Sequence, residues 1–369
     1  MRILHIANSL HTGGAEKLLL ETIPRLNQEK DMTVDLLLLC GDNQPFLSLI
    51  RSLNANRTFC LSKNRIYDPF FIFKILPYLK KYDIVHVHLF PSLYWAGIAK
   101  FLSFSKVKMV YTEHNTTNRR RKNIVFKYLD RLVYANFRKI ITISPDVDKN
   151  IKIHLGAKND SEKFVLIPNG VNIEAINSAI PIPKSKISPI LADRSKVILQ
   201  VSSFTPQKDQ KTVIKALQLL PENYFCCFVG DGPTRDECRN LVNELGLNDR
   251  VIFLGIRTDV YQLLKSVDFI VLSSHFEGLS LACIEGMASG KPFIASNVPG
   301  LGNIVMDAGL LFPEGDSQLL AEAIKNLEED TELNQTVVQN CQKRAMEYDI
   351  GAMVAKTIDL YGTIFKKQL

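Results

Sequence analysis

The sequence alternates short apolar runs with longer amphipathic stretches. In the first half the apolar runs are RILHIA, VDLLLLC, DIVHVHL, KMVYTEH, KIITIS and FVLIPNG. Between some of these runs, at residues 15–28, 42–54 and 93–104, the apolar residues have the spacing of amphipathic helices. Apolar runs too short for helices, alternating with helices, predict a parallel sheet that is covered by helices on both faces.

A second alternation of the same kind begins after a proline-rich segment. Residues 177–194 contain three prolines and are predicted to form a loop. The runs KVILQVSSF, YFCCFVGDG, VIFLG, FIVLSS, PFIAS and GLLF follow, with helices expected at 211–220 and 234–245. The pattern after Asp316 is helical, with an interruption near residues 348–351.

These patterns predict an α/β protein of two doubly wound, Rossmann-like domains. We place the N-terminal domain at residues 1–172 and the C-terminal domain at residues 173–345. A last helix, within residues 346–369, is expected to pack back on the N-terminal domain.

Length and composition are those of a globular protein. The chain has 369 residues, of which 46% are hydrophobic and 22% charged, and its most apolar windows are shorter than the roughly 18 residues of a membrane span. No pair among the seven cysteines has metal-ligand spacing. We therefore expect reduced thiols and a cytoplasmic location.

Positive charge is concentrated in the first half of the chain. Residues 1–170 contain 26 Lys and Arg against 14 Asp and Glu, whereas the remainder is net acidic. A basic half suits nucleic acid, an anionic membrane or a phosphorylated substrate. No helix-turn-helix, aromatic stacking motif or zinc spacing supports nucleic acid.

Polar residues follow several of the predicted strands, where ligands bind in parallel sheets. Gly13 and Gly14 open the first helix, His114 and Asn115 follow KMVYTEH, and Lys208 follows KVILQVSSF. A glycine pair at a helix start suits a phosphate, but it also suits an ordinary tight turn. An isolated histidine at a strand end is more often structural than catalytic, and a lone lysine after a strand is as often a surface residue as a functional one.

The segment EGLSLACIEGMASGKP, which starts at Glu277, carries the strongest chemical signal. Glu285 lies inside an apolar helical run, where a carboxylate is costly unless it is hydrogen-bonded. The hydroxyl groups of a ligand are suitable partners. The dinucleotide motif G-x-G-x-x-G is absent after the first strand, which counts against a nicotinamide enzyme.

With these residues the sequence resembles the retaining glycosyltransferases of family 4, which have the GT-B fold. Eight motifs occur in family order: GGAE, TEHN, SP, IPNGV, PQKD, VGDGP, FLGIRTD and EGLSLACIEGMASGKP. The resemblance spans nearly the whole chain. It implies transfer of a sugar from a UDP- or GDP-linked donor to a glycan or lipid-linked acceptor, in a cleft between two domains.

The resemblance also assigns roles on the donor side. Glu285 would hold the ribose hydroxyls, and the backbone of Ile256 and Arg257 would face the base. The sugar and diphosphate would be held by Glu277, Gly278, Leu279 and Ser280. Lys208 would neutralise the diphosphate, with Gly13 and Gly14 approaching the phosphates from the first domain. The catalytic residues would be His114, Lys208 and Glu277.

The acceptor side is assigned to Glu16, Asn115 and Arg119, and His114 is expected to contact the donor sugar near the reacting carbon. The family often has an arginine where this chain has Ser203, so the diphosphate loses one cation. Ser203 would supply a hydroxyl and a backbone amide there, and Arg257 would be the substitute charge.

No cofactor and no metal are expected. The triplet Asp146-Val147-Asp148 follows Ser144-Pro145, where acidic residues suit a helix start. The leaving diphosphate would instead be stabilised by Lys208, backbone amides and helix N-termini. Glu277 as a covalent nucleophile is an alternative.

Two rival functions remain open at this point: a non-hydrolysing sugar-nucleotide epimerase, and a non-catalytic sugar-nucleotide-binding partner subunit. An anionic membrane surface is a further expected partner, because Lys100, Lys106 and Lys108 flank apolar residues and Arg119 to Lys122 form a basic run. We expect a role in cell-surface polysaccharide or lipopolysaccharide synthesis, at the inner face of the membrane.

Overall fold

The computed structural model describes residues 1–11, 13–41, 44–52, 57–115, 121 and 123–366. The chain folds into two compact units. The first contains Met1–Gly170 and Ile350–Leu369, and the second contains Val171–Asp349.

In its described part, the first unit is built on a seven-stranded parallel sheet. The strands are β1 (Arg2–Ala7), β2 (Thr33–Cys40), β3 (Thr58–Ser62), β4 (Ile84–His88), β5 (Lys108–Glu113), β6 (Lys139–Thr142) and β7 (Phe164–Leu166). Their order is β3-β2-β1-β4-β5-β6-β7, so the direction of winding reverses between β1 and β4. These two strands pair in the register Ile3 with Ile84 and His5 with His86.

Helices cover both faces of this sheet. They are α1 (Gly14–Leu26), α2 (Pro45–Ser52), α3 (Phe71–Leu79), α4 (Ser92–Ser103), α5 (Ile124–Ala135) and α6 (Pro145–Leu155). Local sequence explains several of their ends. Asn123 and Ser144 accept hydrogen bonds from the first turns of α5 and α6, and Gly156 ends α6 in the left-handed conformation.

The second unit has a six-stranded parallel sheet. Its strands are β8 (Lys196–Val201), β9 (Tyr224–Val229), β10 (Val251–Gly255), β11 (Phe269–Leu272), β12 (Phe293–Ser296) and β13 (Leu310–Phe312). The order β10-β9-β8-β11-β12-β13 places the reversal between β8 and β11. The same winding scheme therefore occurs in both units.

The remaining helices complete the chain. They are α7 (Ile173–Ser178), α8 (Lys184–Ile187), α9 (Gln210–Gln218), α10 (Arg235–Glu244), α11 (Val260–Ser266), α12 (Leu281–Ala288), α13 (Gly302–Val305), α14 (Ser317–Glu329), α15 (Thr331–Met346) and α16 (Ile350–Lys366). A short 3₁₀ turn covers Pro206–Lys208. Helix α16 belongs to the first unit, where it packs against α1. No helix in the described ranges is both long and apolar enough to cross a membrane.

The two doubly wound domains predicted from the sequence are confirmed, but some elements differ. The predicted loop at 177–194 contains the four-residue helix α8, because Pro183 stands just before its first residue, where a missing N–H has no cost. The sequence pattern did not reveal β3, whose side chains are half-buried or exposed, or α3, which contains Pro77.

Candidate active site

Lys208 and Glu277 meet beyond the carboxyl ends of β8 and β11, where the winding of the second sheet reverses. The Lys208 ammonium lies 2.5 Å from Glu277 Oε1, and their side chains are only 16% and 7% exposed. Ser274 donates a hydrogen bond of 2.7 Å to the same oxygen. The two predicted catalytic residues of this unit are therefore joined directly.

Buried polar side chains hold the backbone at Lys208. Gln200 donates to the Lys208 carbonyl at 2.9 Å, and the Ser273 hydroxyl lies 2.8 Å from the Asp209 carbonyl. Both side chains belong to fully buried residues. Because polar groups this deep must stay bonded, they fix the position from which the Lys208 side chain extends.

Asp209, the next residue, adopts a left-handed conformation with φ of 42°. This conformation is uncommon for a residue other than glycine and costs about 1–3 kcal/mol. The hydrogen bond of 2.5 Å from Thr212 to its carboxylate helps to hold it. Backbone strain of this kind is common at active sites and ligand-binding segments.

The loop that carries Glu277 is held by the segment after β12. The Glu277 amide donates to the Pro299 carbonyl at 3.0 Å. Gly300 has φ of 83°, and a Cβ at this position would lie 2.2 Å from the Glu277 carbonyl oxygen. Only glycine allows this approach, so the residue fixes the loop beside Lys208.

The residues after Glu277 offer unused hydrogen-bond donors. Within the described chain, the backbone N–H groups of Gly278, Leu279 and Ser280 bond to no acceptor. They lead directly into α12, whose N-terminus carries partial positive charge. Three free amides, a helix start and a lysine together make an arrangement suited to a diphosphate.

Glu285 lies one turn further along α12 and is 4% exposed. The predicted burial of this carboxylate is therefore observed. It shares α12 with buried apolar neighbours such as Cys283 and Met287, so its position is fixed by packing.

Arg257, the expected substitute charge, forms an ion pair with Asp259. Its guanidinium forms two hydrogen bonds to Asp259, at 2.7 and 2.5 Å, which lower the pKa of the Asp259 carboxyl. Lys208 is paired with Glu277 in the same way, and the role of Arg257 as a substitute charge stays a prediction. Ile256 is half exposed after β10, and Ser203 is exposed after β8, with its carbonyl bonded to Gln210.

In the first unit, Glu16 turns back over the start of α1. A Cβ on Gly13 would lie 2.2 Å from a Glu16 carboxylate oxygen, so the glycine makes room for the side chain. Burial raises the pKa of the Glu16 carboxyl. The first turn of α1, next to Gly13 and Gly14, thus already contains the carboxyl group of Glu16.

His114 follows β5 and is half-buried, and burial lowers its pKa to about 4. Asn115 is exposed, and its backbone N–H donates a hydrogen bond of 3.2 Å to the Glu113 carboxylate. Arg119 lies outside the described residues. Arg121, from the same basic run, is only 9% exposed and pairs with Glu113 at 2.5 Å, so it is not a solvated surface cation.

Three further histidines lie beside His114, and the sequence analysis missed them. They are His5 in β1 and His86 and His88 in β4, all buried. The missed signal was the alternation IVHVH, which places His86 and His88 on one face of β4. Knowing that β1 neighbours β4 would have added His5 to that face.

The triplet Asp146-Val147-Asp148 lies in the first turn of α6, as expected for acidic residues at a helix start. Asp148 accepts a hydrogen bond from Thr142 and pairs with Lys152 at 2.6 Å. These bonds give the Asp148 carboxylate a structural role at the start of the helix.

Comparisons with known proteins show the family of the chain. The family described as Glycosyl transferases group 1 matches residues 182–344, and the family described as Glycosyltransferase Family 4 matches residues 12–175. An uncharacterised glycosyltransferase of Methanocaldococcus jannaschii is 30% identical over 266 residues, which cover 70% of this chain and 69% of that protein.

Two further proteins are similar along almost the whole chain. The UDP-Gal:α-D-GlcNAc-diphosphoundecaprenol α-1,3-galactosyltransferase of Escherichia coli is 28% identical, over 98% of this chain and 96% of that protein. HepE of Anabaena, solved in complex with UDP-glucose, has a TM-score of 0.83 at 24% identity, over 97% of this chain and 99% of that one. The chain therefore belongs to the family 4 glycosyltransferases, also described as glycosyl transferases group 1, and is a hexosyltransferase-type enzyme with the GT-B fold.

Proposed function

We propose that this enzyme transfers a hexose from a UDP-linked donor to a lipid-linked glycan, with retention of the anomeric configuration, in cell-surface polysaccharide or lipopolysaccharide synthesis. The observation that carries the donor site is the combination of Lys208 with the free amides of Gly278, Leu279 and Ser280. A diphosphate is the group that this set of donors suits best. The names of the E. coli and Anabaena proteins favour a uridine donor over a guanosine donor.

The proposed reaction needs no metal and no cofactor. The bond between the anomeric carbon and the phosphate oxygen breaks as the acceptor hydroxyl attacks from the same face, and the hydroxyl proton passes to the departing phosphate oxygen. Lys208 and the three amides stabilise the negative charge that develops on the diphosphate. Lys208 is assigned as the principal cation for this task because its partner Glu277 immediately precedes the three amides, and Arg257 is the second cation proposed.

The other assigned residues position the donor. Glu285 accepts hydrogen bonds from the ribose hydroxyls, and Ile256 and Arg257 present their backbone to the base. Glu277 orients Lys208 and contacts the sugar, a role that its ion pair favours over covalent attack. His114 is assigned to a sugar hydroxyl, and Glu16, Asn115 and Arg119 are assigned to the acceptor.

An exposed apolar surface in the first unit supports a membrane-bound acceptor. On α5, the side chains of Ile124, Val125, Tyr128, Leu129 and Leu132 are 41–68% exposed, and at the end of α4 Phe101 and Phe104 are 69% and 93% exposed. We call these seven residues the α4–α5 face. Its two helices pack together where Gly97 meets Val133.

Basic residues lie beside this face. A cavity of about 630 Å³ is lined by Lys100, Lys106, Lys108, Arg138, Lys139 and Lys163, among others. Lys108 begins β5 whereas His114 follows its end, so Lys108 lies roughly 20 Å from His114. The face along α5 is therefore the better candidate for membrane contact near the acceptor, on the inner side of the membrane.

A transfer assay with UDP- and GDP-hexoses tests the proposal. Release of nucleoside diphosphate in proportion to lipid-linked acceptor is the expected result. Interconversion of the sugar nucleotide without net release of nucleoside diphosphate favours the epimerase. Donor binding without turnover favours a non-catalytic partner subunit. A thermal-shift screen identifies the base, because a ligand at 100 times its dissociation constant adds about 2.7 kcal/mol of stability.

A further inference from the structure

His114 stands at one end of a continuous hydrogen-bonded chain through the first unit. The chain starts at the Thr112 hydroxyl, which lies 2.7 Å from His86 Nε2, and His86 Nδ1 lies 2.5 Å from the Tyr361 hydroxyl. Tyr361 lies 3.2 Å from His5 Nε2. His5 Nδ1 is then 3.0 Å from His88 Nε2, and His88 Nδ1 is 3.3 Å from His114 Nε2.

All members of the chain are neutral. Burial lowers the pKa of His5 to about 3 and that of His114 to about 4, and it lowers the pKa values of His86 and His88 well below their usual range. A neutral imidazole has one N–H donor and one acceptor nitrogen. A histidine in the middle of the chain must therefore accept on one side and donate on the other.

This rule leaves three arrangements of the protons, because the Tyr361 oxygen can accept a hydrogen bond from both of its histidine neighbours. In the first, Thr112 donates to His86, each member donates to the next, and His88 donates to His114 Nε2. In the second, every donor and acceptor is exchanged, so that His114 Nε2 donates to His88 and His86 donates to Thr112. In the third, Thr112 donates to His86, and Tyr361 accepts from both His86 and His5, so that His114 Nε2 again donates to His88. The His114 proton therefore lies on Nδ1 in the first arrangement and on Nε2 in the other two.

Thr112 excludes the second arrangement. Its hydroxyl is buried, and in the part of the chain that the structure describes its only hydrogen-bond partner is His86. In the second arrangement the Thr112 proton has no acceptor, and a buried donor without a partner is costly. Tyr361 excludes the third in the same way, because its hydroxyl is fully buried and, within the described residues, bonds only to His86 and His5, so its proton would have no acceptor. In the first arrangement every proton between two members of the chain is bonded, and the one proton left over is on Nδ1 of the half-buried His114.

We infer that Thr112 and Tyr361 are positioning residues that hold His114 in the tautomer with its proton on Nδ1. Within the described residues, Nδ1 has no partner, so it presents an N–H donor to a ligand oxygen. This inference rests on the proposed function only where it names that oxygen as one of the donor sugar. Tyr361 comes from α16, which gives the C-terminal helix a part in arranging His114.

Nitrogen-15 NMR of the full-length, ligand-free protein tests the tautomer without reference to activity. Long-range spectra of histidine-labelled protein distinguish protonated from unprotonated ring nitrogens, and His114→Gln assigns the resonance. Protonated Nδ1 in His114 is the expected result. Protonated Nε2 overturns the inference. Because the spectrum needs neither donor nor acceptor, a failure of the proposed function leaves this result standing.

Paired variants test the positioning role. Thr112→Val removes the hydroxyl, and Thr112→Ser keeps it; we expect a mixed His114 tautomer and about tenfold lower kcat (1.4 kcal/mol) only for the valine variant. The donor KM should change little in either variant. A valine variant that keeps a single Nδ1 tautomer and wild-type kcat overturns the role of Thr112.

Tyr361→Phe should act as Thr112→Val does, because it interrupts the chain between His86 and His5. The matched control is Tyr94→Phe, which removes a hydroxyl bonded to Asp130 elsewhere in the same unit. Equal effects of the two variants on the His114 tautomer and kcat overturn the inference. So does one zinc ion per chain by elemental analysis, since His5, His86 and His88 have nitrogens within 4.8 Å of one another and a metal would replace their mutual hydrogen bonds.

Discussion

Lys208 and Glu277 form an ion pair in which the ammonium lies 2.5 Å from the carboxylate oxygen. Both residues belong to the second unit, 69 positions apart in sequence, and both are mostly buried. Without a ligand the carboxylate neutralises the lysine. An incoming diphosphate then competes with Glu277 for the ammonium, so the pair also holds Lys208 in place before the donor binds.

Lys208→Gln should lower turnover by roughly 10²–10³, the usual loss when one electrostatic contact to a transition state is removed. Glutamine keeps an N–H donor for Glu277 but carries no charge. Steady-state kinetics with saturating donor measure the effect. The matched control is Lys211→Gln, because Lys211 is 46% exposed and pairs with the exposed Glu237. Equal turnover in the two variants would remove Lys208 from the reaction.

Glu285→Ala should weaken binding of the nucleoside diphosphate by about 1.5–3 kcal/mol, the range for hydrogen bonds to a charged group. The reason is the loss of its proposed bonds to the ribose hydroxyls. Isothermal titration calorimetry measures the change. Glu322→Ala, on the exposed side of α14, serves as the control and should bind normally. If both variants bind like the wild type, the ribose assignment is wrong.

His114→Ala should lower turnover by roughly 10²–10³ while donor affinity stays within a few-fold of the wild type. The imidazole is assigned to the reacting sugar, whereas the nucleotide is assigned to the second unit. Parallel measurements of kcat and of the dissociation constant separate the two effects. Unchanged turnover would make His114 a structural residue of the hydrogen-bonded chain.

The stability of the first unit should fall as pH decreases below about 6.5. The pKa values of His5, His86, His88 and His114 are lowered in the folded state, so the unfolded chain binds more protons. Each histidine should cost roughly 1.4 kcal/mol per pH unit between its unfolded and folded pKa values. Most carboxyl groups titrate below this window, near pH 4.

The single tryptophan provides the measurement. Trp95 lies in α4 of the first unit and donates a hydrogen bond to Ile66, so its fluorescence reports unfolding of that unit. Urea titrations at pH 7.5, 6.5, 5.5 and 5.0 extend from above to below the unfolded histidine pKa of about 6.5. They should give free energies of unfolding that decrease with pH. His5→Asn should reduce the dependence of the free energy of unfolding on pH by the contribution of one histidine, roughly 1.4 kcal/mol per pH unit. A pH-independent free energy would contradict the prediction.

The sequence predicted the two sheets because most of their strands are buried on both faces and read as continuous apolar runs. It did not predict β3 at the sheet edge, because TFCLS is half-buried and has no such run. Helix α3 was also missed, since Pro77 interrupts the helical signal.

Candidate site residues were predicted where chemistry follows a strand directly, as at His114 and Lys208. Pairing was harder to predict, because a side chain's partner depends on the fold. Arg257 precedes Asp259 by two residues, yet only the turn after β10 shows that they bond. The four histidines come from three neighbouring strands, so their contact could be predicted only once the order β1-β4-β5 was known.

Membrane association should depend on the α4–α5 face. Its side chains are exposed on one side of α5, at positions i, i+1, i+4, i+5 and i+8 from Ile124, with Lys106 and Lys108 at the cavity beyond. A basic side chain near an anionic membrane contributes about 1 kcal/mol. Arg121 is excluded from this group because it pairs with Glu113.

Sedimentation with liposomes provides the test. The protein should bind vesicles that contain anionic lipid and be released as salt rises, because the attraction of basic residues is screened. Lys106→Ser with Lys108→Ser removes two cations and should weaken binding by about 30-fold, which corresponds to roughly 2 kcal/mol. Ile124→Ser with Leu132→Ser removes apolar contacts and should weaken binding to a similar degree. The matched control is Met306→Ser with Met346→Ser, which replaces two half-exposed apolar residues of the second unit. If this control sediments as poorly as the α5 variant, or if neutral vesicles bind as well as anionic ones, the acceptor does not reach the enzyme across the α4–α5 face.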